Sequence, residues 1–242
     1  GFGVQALVTL DIAQGRLDNP IGAQRRDETG QLLESMRCMQ QQLQAVIAAQ
    51  TEMTVRHDQG QISFRIDDAS FPGEYGRMVR DTNALVAQHI GVKMRAVETM
   101  RRYAVGDLSV DMDRLPGEKA AITDAMDMCK QALSSINGEI RRLSAAAAAG
   151  DFSVRGDESA YRHDFLAMVQ SLNGMMASSD QTLSQLSQLL RAIAAGDLTA
   201  RMEGDFRGVF ATMRDDANIT VEQLTAIVGR IQQSNVAINS AA

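Results

Sequence analysis

Several residue types that build thick globular cores are scarce in this sequence. It has no tryptophan, and its aromatic residues together make up 4% of the chain. No apolar run approaches the roughly 18 residues that a membrane span requires, so we expect a soluble segment without membrane insertion. The two cysteines, Cys38 and Cys129, are 91 residues apart, which excludes a disulfide framework or a cysteine metal cluster. This cysteine usage suits the reducing cytoplasm.

The apolar residues that are present favour helices. Methionine reaches 14 residues, beside many alanines, leucines, isoleucines and valines, and such residues pack into thin cores. The net charge is −6, and the 24 basic residues are scattered along the chain. A surface that follows a phosphate backbone has basic residues in a stripe, with aromatic residues between them. Nucleic acid is therefore not expected as a partner.

The strongest pattern is a triplet of a glycine, a polar residue and an apolar residue, which occurs five times. Successive triplets are 45, 46, 44 and 46 residues apart. A period this regular indicates an array of one supersecondary unit, in which each copy buries its apolar face against its neighbours. The repeat glycines are Gly15, Gly60, Gly106, Gly150 and Gly196.

Proline separates connectors from helices. Pro20, Pro72 and Pro116 each follow a repeat glycine by 5 to 12 residues, and no other proline occurs. Between the connectors, apolar residues recur every three or four positions, which predicts long helices that pack into bundles. The predicted helices cover residues 31–59, 74–105, 118–149, 165–195 and 209–242.

Most connectors carry two apolar residues four positions apart. In an extended segment four residues span about 13 Å, so we expect the two side chains to dock at two levels of one groove. A connector of this length can return along the first helix, so that the flanking helices run parallel. The fourth repeat departs from the pattern, because Phe152 is followed by Gly156. The predicted connector anchors are Leu17, Ile21, Ile62, Ile66, Leu108, Met112, Phe152, Leu198 and Met202.

An acidic residue marks the predicted start of the second helix in each repeat. A carboxylate there accepts hydrogen bonds from unpaired backbone N–H groups and complements the helix dipole. A generic cap explains any one of these residues, whereas their recurrence favours one shared geometry, from which the fourth and fifth repeats deviate in spacing. The predicted second-helix starts are Glu28, Glu74, Glu118, Asp164 and Asp205.

Residues Leu7 to Leu43 resemble a HAMP domain, the signal-relay module of bacterial receptors. The resemblance rests on Gly15-Arg16-Leu17 and on Asp27-Glu28-Thr29-Gly30 before the second helix. The later repeats resemble the divergent HAMP units found in tandem in some methyl-accepting chemotaxis proteins, and the fifth, with Gly196-Asp197-Leu198, is the most similar to that group. The segment from Ile227 to Ile231 is similar to the opening of a receptor's kinase-control coiled coil.

The resemblance implies an all-α fold of stacked parallel four-helix bundles, forming an elongated coiled-coil homodimer. It divides the chain into a HAMP unit at residues 1–50, HAMP-like units at 44–92, 90–138, 136–182 and 180–230, and the start of an output coiled coil at 225–242. These five units are called repeats 1 to 5. Each long helix serves as the second helix of one repeat and the first helix of the next. Signals pass through such bundles by small rotations, tilts or changes in packing.

The expected function is to relay a conformational state from an upstream sensor to the downstream kinase-control, methyl-accepting module of a bacterial chemoreceptor. The implied partners are a second copy of the chain and, in the full-length protein, the sensor and a chemotaxis kinase and adaptor complex. The same relay in a sensor histidine kinase or nucleotide cyclase is an open alternative, as is a passive helical spacer.

No residue set predicts catalysis, a metal site or a cofactor. His57, His89 and His163 occupy different repeat positions and have no recurring ligands at metal-binding spacing. The paired acids Asp111 and Asp113 lie in a connector, where we expect them to be solvated. We therefore do not expect an enzyme.

Asparagine recurs 22 or 23 residues after the repeat glycine, at Asn83, Asn173 and Asn218, where two other repeats have Cys38 and Cys129. A polar residue at this place can fix the register of a bundle. The simpler interpretation, which we favour, is an exposed helical asparagine. For the cysteines, a small apolar residue on a helix is favoured over a thiol that faces its counterpart in a symmetric dimer.

Overall fold

The computed structural model describes residues 2–22 and 28–241, and within these ranges the regular structure is helical, with no β-strand. The described residues form six long helices, α1 (Phe2–Ala13), α2 (Glu28–Asp58), α3 (Gly73–Ala104), α4 (Ala120–Ala148), α5 (His163–Ala194) and α6 (Val209–Ala241). The connectors contain short 3-10 turns at Asp68–Ser70, Gly117–Lys119 and Glu158–Ala160. The all-α prediction is confirmed, and the helix bounds follow the predicted ones closely.

Each of the first five helices ends two residues before its repeat glycine, which adopts a left-handed backbone conformation. The φ angles of the five repeat glycines lie between +79° and +86°. In repeat 2, Gly60 N–H donates to the His57 carbonyl, and Gln61 N–H donates to the Arg56 carbonyl. The same pair of bonds recurs at the other four glycines. This is a Schellman ending, which satisfies the last helical carbonyls and requires a residue that tolerates positive φ.

The chain divides into two compact parts, residues 1–126 and 127–242. Each part contains small apolar clusters in which one helix, the following connector and the next helix meet. In the first part, Val8 and Ile12 pack with Met36, and Met53 packs with Ile66 and Val79. In the second part the clusters are Ile136, Tyr161 and Val169, and Leu189, Met202, Phe206 and Val221.

One face of each long helix is buried and the rest is exposed. The residue seven positions before the repeat glycine is buried in every repeat, at Val8, Met53, Thr99, Leu143 and Leu189. A single buried stripe is typical of a helix that packs on one side only. Among the described residues, none of the helices combines the length and the apolar character that crossing a membrane demands.

The contacts of the repeat 4 connector give the direction of its helices. Along the connector, Arg155, Asp157 and Tyr161 contact residues progressively earlier in α4: Arg142, Glu139 and Ser135. The connector also contacts α5 in reverse order, because Gly156 bonds to Asn173 and Glu158 bonds to Gln170. A segment antiparallel to both helices means that the two helices are parallel to each other, as predicted from the connector length.

Candidate functional site

In repeats 2, 3 and 5 the second anchor is the more deeply buried of the two anchors. Ile66, for example, packs against Met53 of α2 and Val79 of α3. Burial of one such side chain contributes about 1.5–3 kcal/mol. Ile21 of repeat 1 is half-buried. The second anchors that expose 5% or less of their surface are Ile66, Met112 and Met202.

The first anchors lie nearer the surface. Those that are half-buried are Leu17, Leu108, Phe152 and Leu198. Repeat 2 differs from the expectation, because Ile62 is 41% exposed. Phe64 packs beside Ile66 in its place, and the Arg56 guanidinium lies 4.5 Å from the centroid of the Phe64 ring. The aromatic ring fills the groove that the spacing had assigned to Ile62.

Repeat 4 has a buried glycine, Gly156, at the second-anchor position. A Cβ atom there would lie 2.7 Å from Val169 Cγ1 and 2.9 Å from Glu139 Oε1, which is too close for an ordinary contact. The apolar volume comes instead from Tyr161, which packs against Ile136 and Val169. The break in the four-residue spacing thus reflects a closer approach of the connector to both helices.

An asparagine of the second helix holds the backbone of the second anchor. In repeat 2, Ile66 N–H donates to Asn83 Oδ1 at 3.1 Å, and Asn83 Nδ2 donates to the Ile66 carbonyl at 2.8 Å. The extended connector has no strand partner, so the side-chain amide satisfies both backbone groups. We call this pair of bonds the asparagine clamp. At distances of 2.6 to 3.0 Å it also joins Asn173 to Gly156 and Asn218 to Met202.

The interpretation of these asparagines as exposed is wrong, because all three are half-buried against the connector. The available signal was their recurring distance from the repeat glycine, because the second-anchor position always follows that glycine by six residues and each asparagine therefore lies 16 or 17 residues after the second anchor. Cys38 is exposed and Cys129 is half-buried. In the described part of the chain, no three His, Cys, Asp or Glu side chains are grouped so that they could hold a metal ion.

The first helix also holds the connector, at the residue that follows the second anchor. In repeat 4, Asp157 N–H donates to Glu139 Oε1 at 3.2 Å. In repeat 5, Glu203 N–H donates to Gln185 Oε1 at 3.0 Å. Glu139 and Gln185 both stand 11 residues before their repeat glycine. We call these bonds the first-helix grip, and the sequence interpretation did not include them.

The aspartate of the Gly-Asp triplets closes a turn. In repeat 3, Asp107 Oδ1 accepts from the Ser109 hydroxyl at 2.6 Å and from the Ser109 N–H at 3.0 Å. Asp151 and Asp197 make the same bonds with Ser153 and Thr199. These turns fix the backbone where the chain leaves the helix.

The turn bonds lower the pKa of each aspartate, because they favour the charged carboxylate. The bond from the Ser109 hydroxyl, with smaller contributions from the Ser109 N–H and Arg102, lowers the pKa of Asp107 to about 2. The hydroxyls of Ser153 and Thr199 lower the pKa values of Asp151 and Asp197. Hydrogen bonds from Arg142 lower the pKa of Glu139.

Four of the five predicted acidic helix starts lie in or directly before the first turn of a second helix. Glu28, Glu74 and Asp164 lie in the first turns of α2, α3 and α5. Glu118 lies in the 3-10 turn directly before α4. The prediction that Asp205 starts a second helix is wrong, because α6 begins at Val209 and Asp205 therefore lies in the connector. The buried Phe206 follows it and packs into the repeat 5 cluster, which keeps this segment extended against the helices.

The second helix begins beside a residue with positive φ. Gly73, Gly117 and Gly208 have φ angles of 57°, 57° and 54°. His163 occupies the equivalent place in repeat 4, with φ of 50°. A side chain in this region is strained relative to glycine. The start of α5 therefore keeps the geometry of the other repeats at a local conformational cost.

Comparison with known proteins agrees with this repeated geometry. Family models match in series along the chain: a HAMP domain at residues 5–45, a HAMP N-terminal domain 3 at 92–134 and a HAMP domain at 160–226. Together they cover more than half of the chain. The chain is also similar to the methyl-accepting chemotaxis protein McpB of Pseudomonas aeruginosa, with 23% identity over 380 residues. That match takes in 98% of this chain and 56% of McpB, so the chain spans little more than half the length of this curated relative.

Proposed function

This chain belongs to the HAMP domain family and carries its units in series, and from that premise we propose that it is the signal-relay segment of a bacterial chemoreceptor. It would pass a conformational state from an upstream sensor to a downstream kinase-control, methyl-accepting module. The similarity to a methyl-accepting chemotaxis protein supports this output over that of a histidine kinase or nucleotide cyclase. In this role the segment acts in the cytoplasm, through its conformation and not as an enzyme.

Shared helices are the observation that carries the proposal. The α3 helix runs without interruption over 32 residues, or about 48 Å. Its first half packs with the repeat 2 connector through Val79, and its second half packs with the repeat 3 connector through Thr99. A rotation or tilt of α3 in repeat 2 therefore displaces the first helix of repeat 3. Such mechanical continuity is what relay between two-state units requires.

A second copy of the chain is the proposed partner along an exposed apolar seam. Three second helices each carry two large apolar residues seven positions apart, which lie on one face and are between 39% and 56% exposed. A parallel partner would cover these residues and complete a four-helix bundle in each repeat. We call them the outer seam: Leu32, Met39, Met78, Leu85, Met168 and Met175.

The connector anchors are the proposed relay residues, since they touch both helices of a repeat. A change in the relative position of the two helices must change the packing of side chains such as Leu108, Met112, Leu198 and Met202. The proposed boundaries between repeats lie within α2, α3, α4 and α5, and each of these helices contacts the connectors of two successive repeats.

A passive spacer would have the same contacts but only one stable packing.

The intact receptor provides the test. We expect Leu108→Ala and Leu198→Ala to bias kinase output at matched expression, because each loosens one side of the helix–connector packing. Val105→Ala is the control for Leu108→Ala, since Val105 is exposed and lies beside the same repeat glycine. Thermal unfolding of this chain measures the stability change separately. If both anchor variants lose stability and leave output unchanged, the segment is a spacer and the relay proposal fails.

A further inference from the structure

The connectors of repeats 4 and 5 are fastened to both helices at one point. In repeat 5, the clamp from Asn218 holds the N–H and carbonyl of Met202, and the grip from Gln185 holds the N–H of Glu203. Two consecutive connector residues thus give three backbone groups to side chains of two different helices. Repeat 4 has the same arrangement around Gly156 and Asp157, built from Asn173 and Glu139.

Repeat 2 has the clamp but not the grip. The residue 11 positions before Gly60 is Ala49, whose methyl group has neither a donor nor an acceptor. Ala49 packs against the apolar cluster of Met53, Ile66 and Val79. In repeat 2 the second anchor is therefore tied by its backbone to α3, while its contact with α2 at this level is apolar. Apolar contacts slide more readily than hydrogen bonds, because they have no preferred direction.

We propose that Asn173 with Glu139, and Asn218 with Gln185, are positioning residues that bridge the two helices of repeats 4 and 5 through the connector backbone at one point. In repeat 2 the backbone of the second anchor is held by its second helix alone, and the first helix is bonded two residues earlier, where His57 Nε2 lies 3.1 Å from the Phe64 carbonyl oxygen. A displacement of the first helix then reaches the second helix directly in repeats 4 and 5. In repeat 2 the two helices are not joined at one point, because the His57 bond and the Asn83 clamp hold different connector residues. This inference rests on the proposed relay function and assigns the repeats different mechanical roles within it.

Amide hydrogen exchange of this chain tests the bridge. Gln185→Ala removes the acceptor of the Glu203 N–H, so exchange there should accelerate about tenfold, as for the loss of one hydrogen bond. If the bridge holds both residues together, the Met202 N–H should accelerate as well, although its acceptor on Asn218 is intact. Gln188→Ala, an exposed change on the same helix, is the control and should leave both amides unchanged. Acceleration confined to Glu203 would overturn the bridge.

A gain-of-bridge variant keeps the test independent of lost stability. Ala49→Gln places an acceptor at the grip position of repeat 2 and should slow exchange of the Asp67 N–H severalfold, whereas Ala48→Gln on the exposed neighbour should not. An unchanged Asp67 amide would contradict the assigned geometry. Glu139→Gln should preserve the grip of repeat 4, and Glu139→Ala should release it.

The positioning role needs one readout beyond stability. In the intact receptor, Gln185→Ala should alter kinase output, whereas Met176→Ala, which removes a buried side chain of α5 that makes neither a clamp nor a grip bond, should alter thermal stability without that shift. Equal output from Gln185→Ala and the unchanged chain would leave the bridge as a stabilising contact only and overturn its positioning role. The relay itself is judged separately, by Leu108→Ala and Leu198→Ala.

Discussion

At the scale of single residues, the repeat glycine is required for its backbone conformation and not for space. A Cβ atom on Gly60 would meet nothing within 4 Å, but φ at this residue is +85°. The triplet pattern located all five of these helix ends, because positive φ in a Schellman ending leaves little choice of residue. The aspartate beside three of the glycines was less informative, since its turn depends on Ser or Thr two residues later.

Replacement of a repeat glycine should therefore carry a purely conformational cost. We predict that Gly60→Ala lowers the free energy of unfolding by about 1–2 kcal/mol, the cost of a left-handed non-glycine residue. Gly91 is the matched control, because it lies within α3 and its Cβ would also meet nothing. There, Gly91→Ala should stabilise by about 0.5–1 kcal/mol through better helix propensity. Urea unfolding measures both, and equal effects would refute the conformational explanation.

The turn aspartates predict how stability depends on pH. Their folded pKa values are depressed, so their contribution is complete above the ordinary aspartate pKa of about 3.9 and is lost as pH falls through the folded values. We expect the thermal midpoint to be steady from pH 7 to about pH 5 and then to fall, with the Asp107 contribution lost as pH falls to about 2. Asp107→Ala should flatten the acid end of this curve. If the thermal midpoint of Asp107→Ala falls with pH as steeply as that of the unchanged chain, Asp107 does not make this contribution.

At the scale of the elements, the helices could be predicted to within a few residues, because the repeat glycine marks every connector and proline marks three of them. The connector interior was less predictable. In repeat 2, Phe64 packs in the groove in place of Ile62. The four-residue spacing could not predict this, because it takes no account of side-chain size. The asparagine clamps and the grips of Glu139 and Gln185 were missed, because a polar residue on a helix is usually solvated and only the connector path makes these residues partners.

The repeat 4 connector gives a sharp test of this packing. Gly156→Ala would place a methyl group 2.7 Å from Val169 Cγ1 and against the grip of Glu139. We predict a loss of about 1–3 kcal/mol in unfolding free energy, typical of overpacking at a buried site. Gly174→Ala lies on the adjoining helix, where an added Cβ meets nothing within 4 Å, and should be neutral or stabilising. A neutral Gly156→Ala, measured by urea unfolding, would contradict the close approach described here.

At the scale of the whole molecule, the proposed function depends on two copies of the chain lying in parallel. The outer seam occurs in α2, α3 and α5, where its residues are between 39% and 56% exposed. Exposed apolar surface along the helices of a 26.3 kDa chain indicates an interaction site. A second copy of the chain, aligned in register, has apolar residues at the same spacing and could cover this surface. Relay through shared helices then acts on both copies together.

Thiol cross-linking of the seam tests this claim most directly. In a background with Cys38→Ser and Cys129→Ser, a parallel dimer brings Met175→Cys opposite its own counterpart, so mild oxidation should yield a covalent dimer. Gln170→Cys is the control, since Gln170 is directed toward its own connector and contacts Glu158. A parallel dimer should cross-link rapidly at position 175 and little at position 170. A chain that stays monomeric with Met175→Cys, or that cross-links equally at both positions, would contradict the parallel homodimer on which the relay rests.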